Sequence, residues 1–131
     1  MAVTLKDLMT AANAAVPKVS MAEAQDLLTK GALLLDIRDA PEVEKTGLAQ
    51  GAHHVSRGML EFRADPESPF HDKTFDKQRP VVLYCASGGR AALAGKLLID
   101  MGYERVFNLG GFKDWAENGG QVQQILDQGM S

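Results

Sequence analysis

The chain has one cysteine among its 131 residues, Cys85. No internal disulfide can form, which excludes a disulfide-stapled scaffold and removes any pointer to an oxidising compartment. Positive charge is not in excess: 14 Lys and Arg stand against 17 Asp and Glu, for a net charge of −3. A protein held on nucleic acid by phosphate contacts is normally basic, so no nucleic-acid partner is expected. No apolar run approaches the ~20 residues that cross a bilayer, so no membrane partner is expected either. The segment from Met1 to Asp7 lacks a basic stretch followed by an apolar one, which reads as no signal peptide and makes a cytoplasmic location the expectation. There are only three histidines. His53 and His54 are adjacent on an expected strand and therefore face opposite ways. With no second cysteine and no carboxylate at ligand spacing, no metal site is expected. Ser87-Gly88-Gly89 lacks the Gly-Lys-Ser/Thr ending of a nucleotide-phosphate loop, and no cofactor is expected. No internal repeat, low-complexity segment or interdomain linker is present.

What is there is ordinary for one globular domain: 45% apolar and 24% charged residues, with enough chain for a real core. Leu5, Leu8, Met9 and Ala12 recur at helical spacing and predict a helix over 5–15, stopped before Pro17. Ser20-Met21-Ala22-Glu23 is a capping box opening a helix that runs to about Lys30, with Gly31 as its stop. Ala32 to Ile37 is a continuous apolar run, as in a strand buried on both faces. A short helix over 41–46, a short strand over 53–55 and a helical turn over 59–63 follow. Asp65 to Pro80 is polar, holds three prolines and reads as a surface loop. Val81 to Tyr84 is the central strand, Ala91 to Met101 the helix behind it, and Val106 to Asn108 another buried strand. Gly110-Gly111 turns the chain into a helix carrying Trp115, which reads as core. Residues 121–131 form a polar tail with room for one more helix. Strands alternating with helices imply an α/β fold, a parallel sheet covered on both faces. Sites in such sheets lie beyond the carboxyl ends of strands, which puts Asp36, Arg38 and Cys85 on one edge.

Cys85 stands at the sharpest chemical junction. Val81-Val82-Leu83-Tyr84 feeds the loop Cys85-Ala86-Ser87-Gly88-Gly89-Arg90, which feeds an Ala- and Leu-rich helix. A helix N-terminus leaves backbone N–H groups unpaired and carries partial positive charge, and a thiol held there ionises more readily than free cysteine. Gly88 and Gly89 let amides approach the sulfur closely. Arg90 adds a permanent cation at the mouth.

This Cys-x-x-x-x-Arg loop resembles the active-site loop of the rhodanese-type sulfurtransferases. Further segments resemble the family in order: Leu33-Leu34-Leu35-Asp36-Ile37-Arg38-Asp39, Gly51-Ala52-His53-His54-Val55, Arg57-Gly58-Met59-Leu60-Glu61-Phe62 (typical of one bacterial single-domain subgroup) and Asn108-Leu109-Gly110-Gly111-Phe112-Lys113-Asp114-Trp115. The chain departs from many relatives at Gly47-Leu48-Ala49-Gln50, where they carry Gly-His, and at Ala91, where they carry Ser. The resemblance implies a three-layer rhodanese-like fold with a central, mostly parallel sheet. It divides the chain into an N-terminal helical extension (1–18), a rhodanese-like domain (19–120) and a C-terminal tail (121–131).

The activity it implies is transfer of a sulfane sulfur from thiosulfate or a persulfide donor to a thiol or cyanide acceptor. Cys85 is the expected nucleophile and carrier, in two-step covalent catalysis. Backbone amides of Ala86, Ser87, Gly88 and Gly89 are the expected donors to the persulfide. Arg90, with Arg38 or Arg57, is expected to bind the anionic donor. Asp36 and Arg38 are as open to a catalytic role, with Cys85 and Arg90, as to a structural ion pair at a strand end; the resemblance favours Asp36 as a residue that braces the loop or Arg90. Three other readings remain open. A cysteine-dependent phosphatase or arsenate reductase also places a thiolate and an arginine on a strand-loop-helix, but with one more residue between them than the four found here. A non-catalytic binding module on the same fold usually lacks the loop cysteine. A persulfide carrier would serve one protein acceptor.

Overall fold

The computed structural model describes residues 2–124. Helix α1 (Leu5–Ala15) opens on a Thr4 cap, where the Thr4 hydroxyl accepts from Asp7 N at 3.1 Å and the Asp7 carboxylate accepts from Thr4 N at 3.0 Å. Helix α2 (Met21–Thr29) opens on the Ser20–Glu23 capping box legible in the sequence, with both reciprocal bonds formed. These boxes satisfy amides that the helix itself leaves unpaired. Strand β1 (Leu33–Asp36) is buried along its whole length, its three leucines followed by the buried Asp36.

The chain continues through α3 (Ala40–Thr46), β2 (Leu48–Ala49), β3 (His53–His54), a 3₁₀ turn (Arg57–Met59) and α4 (Leu60–Ala64). After the 65–80 loop come β4 (Val81–Cys85), α5 (Gly89–Asp100), β5 (Val106–Gly111), α6 (Phe112–Glu117) and β6 (Val122–Gln123). Four parallel strands form the central sheet in the order β3-β1-β4-β5. Side chains alternate across it. Leu33, Leu35, Leu83 and Cys85 pack with Leu60 of α4 and with Ala91, Ala94 and Leu98 of α5. Leu34, Val82 and Tyr84 pack with Ala24 of α2 and Trp115 of α6. This is the expected α/β architecture, with helices on both faces of a parallel sheet.

Three features go beyond the sequence reading. Residues 17–19 run along β5: Asn108 N donates to Pro17 O at 2.9 Å and Val19 N to Asn108 O at 3.0 Å. The end of the N-terminal extension is thereby stitched onto the sheet edge, and α1 packs on α5 with Val16 against Gly95. Second, Leu48–Ala49 pairs antiparallel with Val122–Gln123. The start of the tail is therefore a strand where there was room for a helix; the remainder, 125–131, lies outside the described residues. A paired partner satisfies the β2 backbone, and Gln121 O also accepts from Gln50 N at 2.8 Å and from Trp115 Nε1 at 2.6 Å. Third, α5 starts at Gly89, two residues earlier than the apolar pattern suggests, because Gly88 with φ of +104° caps it. Among the described residues no helix is long and apolar enough to cross a membrane.

Candidate active site

Cys85 is the last residue of β4, and the chain bends at once into α5. Its side chain is buried, 1% exposed. The sulfur accepts from two backbone amides, Gly88 N at 3.0 Å and Ala91 N at 3.4 Å. Both belong to the start of α5, so the positive end of a 12-residue helix points at the sulfur. Such donors favour negative charge on the atom they face. The residue that stands where many relatives have Ser, Ala91, thus contributes through its backbone, where the side chain has no part.

The bend is held from behind by the end of β5. A register shift between β4 and β5 brings Gly110 beside Tyr84 and Gly111 beside Cys85. A Cβ on Gly111 would lie 2.2 Å from Ala86 O, so only glycine allows this approach. Asn108, 3% exposed, ties the two segments together. Its Nδ2 donates to Gly88 O at 3.1 Å, and its Oδ1 accepts from Gly110 N at 2.8 Å. In the sequence Asn108 stands out only as the end of a buried strand and the start of the segment that runs to Trp115. A buried amide at the end of an apolar strand was the available signal, since such a group must find partners.

Arg90 is the second residue of α5. Its guanidinium forms a two-bond pair with Glu42 of α3, Nη1 to Oε2 and Nη2 to Oε1, both 2.8 Å. Hydrogen bonding to Arg90 lowers the Glu42 pKa to about 2, against opposing desolvation, and the same bonds raise that of Arg90. Glu42 also accepts from Asp39 N at 3.0 Å at the start of α3. The three-residue spacing from Asp39 to Glu42 marks a helix start in sequence, but nothing in it reveals the second role.

Of the partners expected for Asp36, the structure shows Arg38. Asp36 does not brace Arg90. It pairs with Arg38, Oδ2 to Nη2 at 2.8 Å, and both side chains are at most 3% exposed. Arg38 also donates to Thr46 Oγ1 at 2.7 Å and Gly47 O at 2.8 Å. Its guanidinium carbon lies 4.4 Å from the Phe112 ring centroid. Burial pushes the Arg38 pKa down, but the Asp36 carboxylate outweighs it and the net shift is upward. Burial, then the charge of Asp36, raises the Tyr84 hydroxyl, which accepts from Ala49 N at 3.0 Å. This cluster locks the end of α3 to β1 and β4. The reason is solvation: a guanidinium stripped of water must fill its donors locally.

Arg57 opens the 3₁₀ turn after β3, and β1 stands between β3 and β4. It pairs with Glu61 at 3.0 Å, and none of its hydrogen bonds reaches the Cys85 loop. Ala86 and Ser87 are exposed at the loop's crest. A cavity of about 250 Å³ beside Ala86 is lined by Arg38, Glu42, Phe112, Lys45 and Lys113 among others. The two histidines serve structure: His53 Nε2 meets the Asp72 carboxylate, and His54 Nε2 meets Arg38 O.

A family model described as the rhodanese-like domain matches residues 20–118. The chain belongs to the rhodanese-like domain family. It is 31% identical to a thiosulfate sulfurtransferase GlpE of Actinobacillus succinogenes over 107 residues, covering 80% of this chain and 88% of that protein. Among solved structures it resembles a Rhodopseudomonas palustris protein of unknown function, described as a possible tyrosine phosphatase (36% identity, TM-score 0.84, covering 94% and 96% of the two chains). It also resembles the polysulfide-sulfur transferase homodimer of Wolinella succinogenes (33% identity, TM-score 0.72, covering 93% and 88%). Within the rhodanese-like domain, Cys85, Arg90 and the amides between them occupy the strand-to-helix loop, and helix α1 lies outside the matched residues.

Proposed function

We propose that this rhodanese-like domain is a sulfurtransferase that carries a sulfane sulfur on Cys85. The observation that supports this most is the pair of backbone donors at one sulfur atom, Gly88 N of the loop at 3.0 Å and Ala91 N of α5 at 3.4 Å from Sγ. In the first step the Cys85 thiolate attacks the sulfane sulfur of thiosulfate. The sulfur–sulfur bond of the donor breaks, and sulfite leaves with the electron pair. Loop amides from Ala86 to Gly89 hold the terminal sulfur of the persulfide, a charge-stabilising use of backbone donors. In the second step a thiol or cyanide attacks that terminal sulfur and Cys85 leaves as thiolate. Arg90, steadied by Glu42, meets the anionic donor at the mouth. Asp36 and Arg38 act as a positioning pair through α3, and Arg57 stands apart from the reaction. A protein bearing a reactive thiol can take the acceptor's place, since the second step needs only a nucleophile.

The phosphatase reading, suggested by the description of the Rhodopseudomonas palustris protein, asks for a wider loop around a tetrahedral oxyanion. Four intervening residues favour sulfur. Incubation with thiosulfate followed by intact-mass spectrometry should show one added sulfur on the wild-type protein and none on Cys85→Ser. The variant should keep the wild-type melting temperature and lose thiosulfate:cyanide turnover. Retention of turnover by Cys85→Ser, or hydrolysis of an aryl phosphate without sulfur uptake, overturns the assignment.

A further inference from the structure

A second cavity, about 370 Å³, lies on the other side of the Cys85 loop. Ser87, Gly88 and Gly89 form one wall; Met9 and Asn13 of α1 face them. Lys18 and Asp114 also line it. This cavity exists because Val16 packs on α5 and residues 17–19 run along β5, which hold α1 alongside the start of α5. Its α1 wall is outside the family match over 20–118.

The lining is chemically two-signed. Lys18 offers an ammonium that makes no salt bridge among the described residues, and Asn13 an exposed amide. Asp114 offers a carboxylate, of which Oδ2 accepts from Gly111 N at 2.8 Å. A site with one cation and one anion suits a zwitterion: Lys18 takes a carboxylate and Asp114 an α-ammonium. The volume is that of small-ligand sites in general. The dividing wall is one backbone strand thick, since Gly88 lines the cavity while its N–H binds the Cys85 sulfur at 3.0 Å. A persulfide carries its terminal sulfur about 2 Å beyond Sγ.

We infer that this cavity is the acceptor subsite, and that the acceptor is an amino-acid-type thiol, cysteine or a short cysteine peptide bearing both carboxylate and ammonium groups. The inference rests on the sulfurtransferase reading and specifies its second step. The acceptor's polar body sits between α1 and the loop. Its thiol loses a proton to solvent and attacks the terminal sulfur; a new sulfur–sulfur bond forms, the bond to Cys85 breaks, and Cys85 leaves as thiolate.

Two measurements test it. In the first, unloaded protein is titrated with S-methylglutathione, which has the charges and cannot react. Backbone amide resonances of Asn13, Lys18 and Ser87 to Gly89 should shift, with about three- to tenfold weaker binding to Lys18→Glu, the range for reversing an exposed ion pair. Shifts confined to other surfaces, or none at millimolar probe, overturn the subsite whatever the enzyme does. In the second, Cys85 is loaded with thiosulfate or inorganic polysulfide, and sulfur release to glutathione is compared with release to uncharged 2-mercaptoethanol. The ratio of the two rates should fall several-fold in Lys18→Glu. An unchanged ratio overturns the acceptor assignment, whereas failure to load from either donor refutes the sulfurtransferase reading and leaves the titration to decide the cavity.

Discussion

Replacing Asn108 by alanine should cripple sulfur transfer more than it harms the fold. The side chain makes two bonds with separate consequences: 3.1 Å to Gly88 O and 2.8 Å to Gly110 N. Gly88 O keeps a second partner, Ala92 N at 3.0 Å, so its loss is partial. The bond to Gly110 N holds the start of the glycine turn against the end of β4, where Gly110 stands beside Tyr84. Losing both bonds of a buried amide and opening a small void costs about 2–4 kcal/mol together. For a domain of this length that corresponds to a fall in melting temperature of roughly 6–20 °C. The functional effect follows from what Gly88 does. Its carbonyl is held by Asn108 while its N–H faces the Cys85 sulfur at 3.0 Å. Once the carbonyl is released, the peptide plane can turn and the donor leaves the sulfur. Loss of one donor to a charged atom predicts at least a tenfold drop in kcat/KM for thiosulfate, about 1.4 kcal/mol in transition-state binding. Steady-state turnover well below the melting range, with the melting curve recorded beside it, separates the two effects. A variant that melts earlier yet turns over at the wild-type rate would refute the claim that Asn108 positions the loop.

Arg90→Ala should raise KM for thiosulfate and lower kcat/KM by about 10- to 150-fold, the range for losing a charge-assisted contact; unchanged kinetics would show that Arg90 only packs. Glu42→Gln should raise KM more mildly and cost about 1 kcal/mol or less in stability, because both partners are over a third exposed and solvent screens the pair. The Glu42 pKa is depressed from 4.5 to about 2. Its stabilising contribution is therefore present above pH 4.5 and lost as pH falls toward 2, so the melting temperatures of wild type and Glu42→Gln should converge in that window. A gap that widens in acid contradicts the sign. Inserting one glycine between Gly88 and Gly89 should reduce thiosulfate activity by on the order of tenfold or more, since hydrogen bonds weaken steeply with distance; full activity in that variant would show that loop size does not select sulfur.

The parts of the molecule that were legible in sequence are those in which local chemistry and tertiary role coincide. Ser20 and Glu23 cap a helix whether or not it is packed. The run from Leu33 to Leu35 is apolar enough to demand burial, and Cys85 ends the strand that precedes the two glycines. What the sequence concealed depends on partners far along the chain. Leu48–Ala49 has no strand signature of its own; it is a strand because Val122–Gln123 reaches it. Glu42 and Arg90 are 48 residues apart, and no local pattern couples them. Asp36 could have turned to Arg90 or to Arg38. Arg38 wins because its guanidinium is buried and needs the carboxylate to offset desolvation, whereas Arg90 stays part-exposed and can be served by a carboxylate at the surface.

That division of partners bears on where the catalytic stabilisation resides. Both arginines near the loop already hold a carboxylate: Arg38 has Asp36 and Arg90 has Glu42. Asp36 offsets the charge of the buried Arg38, and Glu42 offsets part of that of Arg90, which leaves Arg90 for the anionic donor at the mouth. The donors that meet the sulfur are neutral amides of Gly88 and Ala91, and their force depends on direction and distance, not on net charge. Direction is set by groups that carry no charge at all: Asn108 on the carbonyl of Gly88, and the missing side chain of Gly111 against Ala86 O. It follows that disturbing loop geometry should cost more turnover than disturbing a nearby ion pair. Measured side by side, Asn108→Ala should lose more kcat than Glu42→Gln. The reverse order would place the main stabilisation with the Arg90–Glu42 pair and demote the backbone amides to a supporting role.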